Sequence, residues 1–381
     1  MEDSVNKRIL ATGKHKDGLY VLNLGFKALY GLKQAPRAWF QRLSSFLINQ
    51  GFMCSQADTS LFIFHRGSCL LYSLVYVDDI ILTGNHDQTI TRFIACLKNE
   101  FAIKDLGRLS YFLGLEVSYT SAGLFLSQSK YAHDILKRAN LLDSKPVGTP
   151  LATNDVFTTN GQSFHDPTLY RSFVGALQYL TITRPDLSYA VNQASQFLHS
   201  PTDQHFQLVK RIMRYVKGTI THGLHFSCPD KSMLIGYSDA DWATCIETRR
   251  STYSYSIFFG GNLISWSAKK QLTVSRSSCE SEYRAMANTA AELIWISHLL
   301  CDLNALPSSR PTLLCDNFSA IFLSQNPVAH RCAKHIDIDY HFVYELVLSG
   351  KLHTKFEPTK LQVADIFTKP LPRPLFESFR D

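Results

Sequence analysis

The 381-residue sequence lacks several features that define common classes of protein. Its longest strongly apolar run, Cys69–Val77, ends at two aspartates and falls far short of the ~20 residues that span a bilayer. Residues 1–8 lack the apolar segment of a secretory signal. The sequence has no Gly-x-x-x-x-Gly-Lys loop, Gly-x-Ser-x-Gly elbow or Asp-Ser/Thr-Gly triplet, which excludes P-loop, esterase and aspartic protease chemistry. We therefore expect no membrane partner.

The nine cysteines are scattered, and no two of them form a C-x-x-C pair. This usage predicts reduced thiols in an intracellular protein, either cytoplasmic or nuclear. Cys332 and His335 have the spacing of metal ligands, but a zinc site usually needs four ligands. We therefore interpret these two residues as part of a helix surface.

The excess of positive charge is concentrated in the first half of the chain. The net charge of +7 divides into +5 for residues 1–150, +2 for residues 151–228 and zero for residues 229–381. The basic bias favours a phosphate-backbone partner, although the excess is small. At 45% apolar and 19% charged residues, the chain has enough hydrophobic material for two or three domains.

Strands and helices alternate from Leu19 to about Val117. The apolar runs Leu70–Val77 and Ile80–Leu82 flank two acids, Asp78 and Asp79, and predict a β-hairpin with a diacid at its tip. Adjacent carboxylates repel each other unless a cation such as Mg²⁺ lies between them. A solvated turn is the alternative, because aspartate is common in turns, and the pair alone favours it.

From Ser129 to Gly218 the pattern is helical, and from residue 229 it becomes mixed. We predict helices over 130–139, 168–180, 186–197 and 203–216. Strands are predicted over 233–237, 253–259, 263–266, 313–315 and 353–356, with a long helix over 277–303. Alternating strands and helices after residue 229 indicate an α/β layer domain of roughly 150 residues.

Four carboxylates of this last region occupy positions where they can converge. Asp239 and Asp316 each follow a predicted strand, Glu282 lies near the start of the long helix, and Asp365 lies near the carboxy terminus. Acids at strand ends and on an adjacent helix can meet at one sheet edge, where two metal ions can clamp a phosphodiester. Glu280 is different, because the spacing Ser277-x-x-Glu280 predicts a capping box.

Several long motifs, in order, resemble the Pol polyprotein of copia-type LTR retrotransposons. Those that resemble its reverse transcriptase are 29–39 (LYGLKQAPRAW), 76–79 (YVDD), 105–107 (DLG) and 111–117 (YFLGLEV). Those that resemble its ribonuclease H domain are 236–242 (GYSDADW), 248–252 (TRRST), 265–271 (SWSAKKQ), 334–338 (KHIDI) and 364–371 (ADIFTKPL). The similarity covers roughly Tyr20 to Leu371.

The resemblance implies a fold and a set of functional residues. The fold would be α+β / α/β, with a partial palm at 20–125 after an unmatched leader at 1–19, a helical thumb and connection at 126–228, and a ribonuclease H-like domain at 229–381. Asp78 and Asp79 would be palm metal ligands. The residues expected to contact template, nucleotide or primer are Gly31, Lys33, Gln34, Pro36, Phe112 and Gly114. Mg²⁺ or Mn²⁺ would be held in the ribonuclease H domain by Asp239, Glu282, Asp316 and Asp365.

An RNA–DNA hybrid or a template–primer duplex is the partner that this resemblance implies, with a homodimer or other Pol-derived chains as further possibilities. The basic residues available on the helices between 129 and 218 are Arg171, Arg184, Lys210, Arg211, Arg214 and Lys217, although ordinary solvated charge accounts equally well for each.

The sequence also departs from the family pattern. No aspartate at the end of an apolar strand precedes Tyr20, where the family has its third palm ligand, and Ser254 stands where a glycine is expected. We therefore expect RNA cleavage to be retained in preference to polymerisation. The alternative is an inactive transposon relic that at most binds nucleic acid, because loss of a central strand would expose a sheet edge. The ending ADIFTK argues against an integrase-type recombinase.

Overall fold

The computed structural model describes residues 20–24, 35–77, 79–326 and 337–381. These residues form two compact units of mixed α and β structure. The first unit comprises the described residues up to Leu113 together with Trp295–Leu306, and the second comprises Gly114–Ile294 and the described residues from Pro307 to Asp381.

The first unit is built on a six-stranded antiparallel sheet. Its elements are β1 (Tyr20–Leu24), α1 (Ala35–Asn49), β2 (Met53–Cys54), β3 (Leu61–Arg66), β4 (Cys69–Tyr76), β5 (Asp79–Gly84), α2 (Asp87–Glu100), β6 (Ile103–Arg108) and β7 (Tyr111–Phe112). The strand order is β2-β3-β4-β5-β1-β6. Leu43 and Leu47 of α1 pack into the core of this unit with Ile90, Phe93 and Leu97 of α2, as the helical spacing of these apolar residues requires.

Strands β4 and β5 form the hairpin predicted around the diacid, with Tyr76 paired with Asp79. Val77, which follows β4 directly, has a φ of 51°. A β-branched residue rarely adopts positive φ, so the backbone is strained at this tip.

The edge of β5 is not open, contrary to the reasoning behind the relic hypothesis. Strand β1 lies between β5 and β6 and pairs with both of them. Asn23 pairs with Asp79 in this register. The position beside the diacid strand is therefore filled, and the residue paired with Asp79 is an asparagine.

The second unit begins with a small antiparallel sheet and a group of helices. These elements are β8 (Leu115–Tyr119), β9 (Gly123–Ser127), α3 (Ser129–Arg138), α4 (Pro167–Leu180), α5 (Ser188–Ser195), α6 (Asp203–Gly218) and β10 (Leu224–Ser227). The four predicted helices are confirmed, except that the third starts as a 3₁₀ turn at Pro185–Leu187 and ends at Ser195. The core of these helices includes Val174, Leu177, Val209 and Ile212.

A five-stranded mixed sheet follows in the same unit. The remaining elements are β11 (Leu234–Asp241), β12 (Thr252–Phe259), β13 (Asn262–Lys270), α7 (Ser278–Asp302), β14 (Thr312–Cys315), α8 (Phe318–Gln325), α9 (Asp337–Leu348), β15 (His353–Phe356) and α10 (Arg373–Arg380). The residues of α7 from Trp295 onward belong to the first unit. The order is β13-β12-β11-β14-β15, with β11, β14 and β15 parallel to one another. Strand β11 runs four residues beyond its predicted end, which places Asp239 within the strand.

One basic residue expected to be available for nucleic acid is internal. Arg184 is 2% exposed and donates hydrogen bonds to the carboxylate of Asp186 and to Thr219. A guanidinium buried in this way is a structural ion pair, so the expectation for Arg184 is wrong. Arg171 and Arg214 remain at the surface, although each donates to a backbone carbonyl.

Two further sequence expectations concern membranes and thiols. Within the described ranges, no helix has the length and apolar character needed to cross a membrane. The described cysteines are all free thiols, while Cys332 and His335 lie outside the described residues.

Candidate active site

The C-terminal ends of two neighbouring parallel strands bring two carboxylates together. Strands β11 and β14 pair in a register that places Ser238 beside Cys315, so the next residues are Asp239 in β11 and Asp316 directly after β14. Side chains in equivalent positions on adjacent strands share one face of a sheet. The sheet geometry therefore brings Asp239 and Asp316 to one edge.

Glu282 reaches the same edge from helix α7. The helix presents a buried stripe that continues from Glu282 through Ala285, Met286, Thr289 and Leu293, as its helical spacing predicts. Glu282 accepts a hydrogen bond from the backbone N–H of Ala240, next to Asp239. Oxygens of Glu282 and Asp316 and the sulfur of Cys315 all lie within 4.8 Å of one another.

Glu280 has the separate capping role that its spacing predicts. The N–H of Glu280 donates to the hydroxyl of Ser277 at 3.1 Å, and its carboxylate accepts from the N–H of Arg276 at 2.8 Å. In a capping box the carboxylate of Glu280 would accept from the N–H of Ser277, so this contact is shifted by one residue to Arg276. Glu280 also pairs with Arg284, one turn later.

Asp365 joins the site from a 3₁₀ turn, Val363–Phe367, near the carboxy terminus. Asp365 is 2% exposed and interacts with the carboxyl of Asp239. The turn is held on the sheet by two buried hydrogen bonds. Gln362 donates to the carbonyl of Ser238 at 3.0 Å, and Ser254 donates to the carbonyl of Ala364 at 2.9 Å. The hydroxyl of Ser254, at the position where a glycine was expected, therefore anchors Ala364, the residue before Asp365.

Neutral donors and one lysine surround the four carboxylates, which we call the carboxylate cluster (Asp239, Glu282, Asp316 and Asp365). The hydroxyl of Thr368 donates to Asp239, and the hydroxyl of Thr359 donates to Asp316 at 2.7 Å. The ammonium of Lys369 lies 2.8 Å from Asp365 Oδ1.

Burial and mutual repulsion raise the pKa of three of these acids. Burial is the main cause for Glu282, whose pKa lies well above its usual value and is raised further by the charges of Asp239 and Asp316. Burial also raises the pKa of Asp239, and it raises that of Asp365 to about 7. These acids resist ionisation because too little positive charge lies near them. A bound cation would stabilise their ionised form.

The donor set of the carboxylate cluster fits a hard divalent cation. Carboxylate oxygens are the ligands preferred by Mg²⁺ and Mn²⁺. The thiol of Cys315 is fully buried, donates to Glu282, and has a pKa that burial raises well above its usual value, so it remains protonated. The oxygens of the four acids could hold the metal, with Cys315 outside the ligand set.

Sequence reasoning identified the four acids but missed the residues that orient them. Ser254, Thr359, Gln362, Thr368 and Lys369 were given no role at the site. Thr368 and Lys369 lie inside the quoted ADIFTKPL motif, which was the available signal. The contacts themselves join residues up to 129 positions apart, so no local pattern could predict them.

The predicted polymerase residues are only partly described. Asp78, Gly31, Lys33 and Gln34 lie outside the described residues, and Pro36 belongs to the first turn of α1. In the first unit, Asp79 begins β5, and the indole N–H of Trp39 donates to the carbonyl of Val77 at 2.8 Å. Trp39 therefore fixes the strained hairpin tip, which sequence reasoning missed.

Two other predicted polymerase residues have visible surroundings. The ring of Phe112 packs edge-on against that of Tyr76, with centroids 6.4 Å apart, at the end of the diacid hairpin. In the second unit, Gly114 has a φ of +79°, and a Cβ atom there would lie 2.0 Å from the hydroxyl of Tyr179. A glycine is therefore required at 114 for steric reasons, whether or not it contacts a primer.

Comparison with known proteins identifies relatives of both units. A family model described as reverse transcriptase (RNA-dependent DNA polymerase) matches residues 12–153. The retrovirus-related Pol polyprotein from transposon RE2 of Arabidopsis thaliana is 48% identical over 354 residues, which cover 93% of this chain and 24% of the relative. The putative transposon Ty5-1 protein of Saccharomyces cerevisiae is 30% identical over 278 residues, covering 72% of this chain and 90% of that protein.

A solved structure shares the fold. The foamy viral protease-reverse transcriptase dRH in complex with double-stranded DNA aligns with a TM-score of 0.51 at 13% identity, over 92% of this chain and 60% of that one. The chain spans about a quarter of the length of the RE2 polyprotein, so it corresponds to one segment of that relative.

Proposed function

Because the chain belongs to the copia-type retrotransposon Pol polyprotein family, as a reverse transcriptase and ribonuclease H fragment, we propose that it cleaves the RNA strand of RNA–DNA hybrids. The observation that carries this proposal is the convergence of the carboxylate cluster at one edge of the mixed sheet. The proposed division of labour assigns cleavage to residues 229–381, with 126–228 as thumb and connection and 20–125 as a partial palm.

Asp239, Glu282, Asp316 and Asp365 would hold two Mg²⁺ or Mn²⁺ ions. Such ions lower the pKa of bound water and offset the charge that develops on the phosphodiester. The chain's own contribution is orientation. The hydroxyl of Thr368 donates to one oxygen of Asp239, and the hydroxyl of Thr359 donates to one oxygen of Asp316. The second oxygen of each carboxylate therefore remains available as a metal ligand.

Polymerisation has weaker support. Asp78 and Asp79 remain proposed metal ligands, and Gly31, Lys33, Gln34, Pro36, Phe112 and Gly114 remain proposed contacts to template, nucleotide or primer. However, the residue paired with Asp79 on β1 is Asn23, a neutral side chain, whereas two-metal phosphoryl transfer needs several anionic ligands. This pairing favours the alternative that the palm binds nucleic acid without extending a primer.

The proposed partner is an RNA–DNA hybrid, bound mainly through its backbone. The second unit supplies exposed or half-buried basic side chains for such contacts, including Lys210 and Lys217, although Lys217 also donates to the carbonyl of Ser144. A homodimer, or assembly with other Pol-derived chains, remains part of the proposal, as does a cytoplasmic or nuclear location.

Cleavage of a labelled RNA–DNA hybrid in Mg²⁺ or Mn²⁺ tests the proposal. We expect wild-type activity to exceed that of Asp239→Asn by at least about 100-fold, because one metal ligand is lost. Asp230→Asn is the matched control, since Asp230 is an exposed acid of the same unit. Binding of the hybrid in Ca²⁺ is measured in parallel. If the hybrid binds but wild type cleaves no faster than Asp239→Asn, the inactive-relic alternative is correct and the proposal is wrong.

A further inference from the structure

Among the described residues, Lys369 is the cation whose ammonium contacts the carboxylate cluster. Its ammonium nitrogen lies 2.8 Å from Asp365 Oδ1, and the negative charges of Asp239, Asp365 and Asp316 all act on it to raise its pKa. The hydroxyls and the thiol that hydrogen-bond the cluster are neutral. Within the part of the chain that the structure describes, the ammonium of Lys369 is therefore the positive charge next to these buried acids.

The backbone of Lys369 is fixed, but its side chain is free enough to move. Its N–H donates to the carbonyl of Asp365 at 3.2 Å, and the preceding residue, Thr368, is anchored to Asp239. The lysine side chain is 40% exposed, whereas the side chain of Asp365 is 3% exposed. The ammonium thus enters from solvent on a flexible stem. The buried pair of Arg184 and Asp186 has both side chains no more than 5% exposed and lacks this freedom.

A divalent cation and the ammonium would compete for the same oxygens. Both need the charge of Asp365, and two cations a few ångströms apart repel each other strongly in a site of low dielectric constant. On the basis of the proposed metal-dependent cleavage, we propose that Lys369 is an internal counter-ion that stabilises the carboxylate cluster without metal and that a divalent metal displaces from Asp365.

This role predicts two effects of opposite sign when the ammonium is removed. In Lys369→Met the metal-free protein should lose thermal stability, because the acids lose their counter-ion. The same variant should bind Mn²⁺ about tenfold or more tightly, because no resident cation competes. A merely structural role for the lysine would lower stability and metal affinity together.

The test measures Mn²⁺ binding by electron paramagnetic resonance at pH 8.5, and melting temperature in EDTA, for the full chain. Lys369→Arg should resemble wild type because it keeps the charge, and Lys360→Met is the matched control because Lys360 is exposed on the neighbouring 3₁₀ turn. Unchanged or weaker Mn²⁺ binding by Lys369→Met would overturn the proposal. If wild type binds no Mn²⁺, both this inference and the proposed function fail.

A second measurement uses only the wild-type chain, in case Lys369→Met does not fold. Reductive methylation of lysines, followed by mass spectrometry, reports how accessible each ammonium is. Mg²⁺ should accelerate methylation of Lys369 relative to Lys360, because displacement moves the ammonium into solvent. If Mn²⁺ binds but Mg²⁺ leaves this ratio unchanged, Lys369 is not displaced, and the inference fails while the proposed function stands.

Discussion

Replacing Glu282 with glutamine should stabilise the metal-free protein even though it removes a proposed metal ligand. The pKa of Glu282 is raised by burial and by the charges of Asp239 and Asp316. An acid with a raised pKa in the folded state holds a proton that the unfolded chain has already released, so stability falls as pH rises above the unfolded value of 4.5. Glutamine does not titrate, so Glu282→Gln should not lose stability in this way as pH rises.

Repulsion between the carboxylates adds to the cost of burial, and its size follows from the distance between them. Oxygens of Glu282 and Asp316 lie within 4.8 Å, which corresponds to a repulsion of about 3.5 kcal/mol at an effective dielectric constant of about 20. The ammonium of Lys369 interacts with Asp316 and so offsets part of the charge that repels Glu282. We expect a net gain of about 1–3 kcal/mol at pH 8.5, or about 2–4 °C in melting temperature per kcal/mol. The amide can still accept from the N–H of Ala240.

Thermal denaturation in EDTA at pH 4.5 and pH 8.5, followed by circular dichroism, measures this gain. The gain should be close to zero at pH 4.5 and full at pH 8.5, and saturating Mg²⁺ should reverse it, because metal binding stabilises only the wild type. Glu280→Gln on the same helix should lower the melting temperature, since Glu280 caps Arg276 and pairs with Arg284. An equal gain at both pH values, or none at pH 8.5, would refute the repulsion argument.

Three other substitutions test single contacts. Trp39→Phe keeps an aromatic ring but loses the bond to the Val77 carbonyl, and should cost about 1 kcal/mol in denaturant unfolding of the first unit. Ser254→Ala removes the buried hydrogen bond to the Ala364 carbonyl, so it should lower the free energy of unfolding by about 1–2 kcal/mol and weaken Mn²⁺ binding. Unchanged Mn²⁺ binding would contradict this prediction. Burial lowers the pKa of His205, so the free energy of unfolding should fall as pH drops below 6.5. The melting temperature of wild type should therefore be lower at pH 5 than at pH 7, and this difference should be smaller in His205→Gln.

The sequence predicts local structure well where apolar spacing or strand ends are decisive. The buried stripe after Glu282 depends on helical periodicity, and the hairpin whose second strand begins at Asp79 depends on two neighbouring apolar runs, each within fewer than about 20 residues. The positions of Asp239 and Asp316 also follow from local rules, because Asp239 lies among the last three residues of β11, Asp316 follows β14 directly, and parallel strands end at the same sheet edge. These features required no knowledge of long-range packing.

Burial of charge could not be predicted in the same way. Arg184 resembles the other basic residues of the helical segment in sequence, yet its guanidinium is enclosed by Asp186 and Thr219. Thr219 lies 35 residues away, beyond the range of any helical or strand period. The expectation of an open sheet edge was wrong for a similar reason, since the pairing of β1 between β5 and β6 depends on the whole sheet.

The candidate active site depends on contacts between residues that lie far apart in the sequence of the second unit. The segment from Thr359 to Lys369 bonds to Asp316, Ser238 and Asp239 and accepts from Ser254, across separations of 43 to 129 residues. The chain entropy lost in closing such loops grows with their length, so helices and hairpins form more readily than this assembly. The carboxylate cluster is therefore complete only after the segment has docked. Its mutual repulsion opposes that step, and the ammonium of Lys369, carried by the same segment, compensates the charge as the segment arrives.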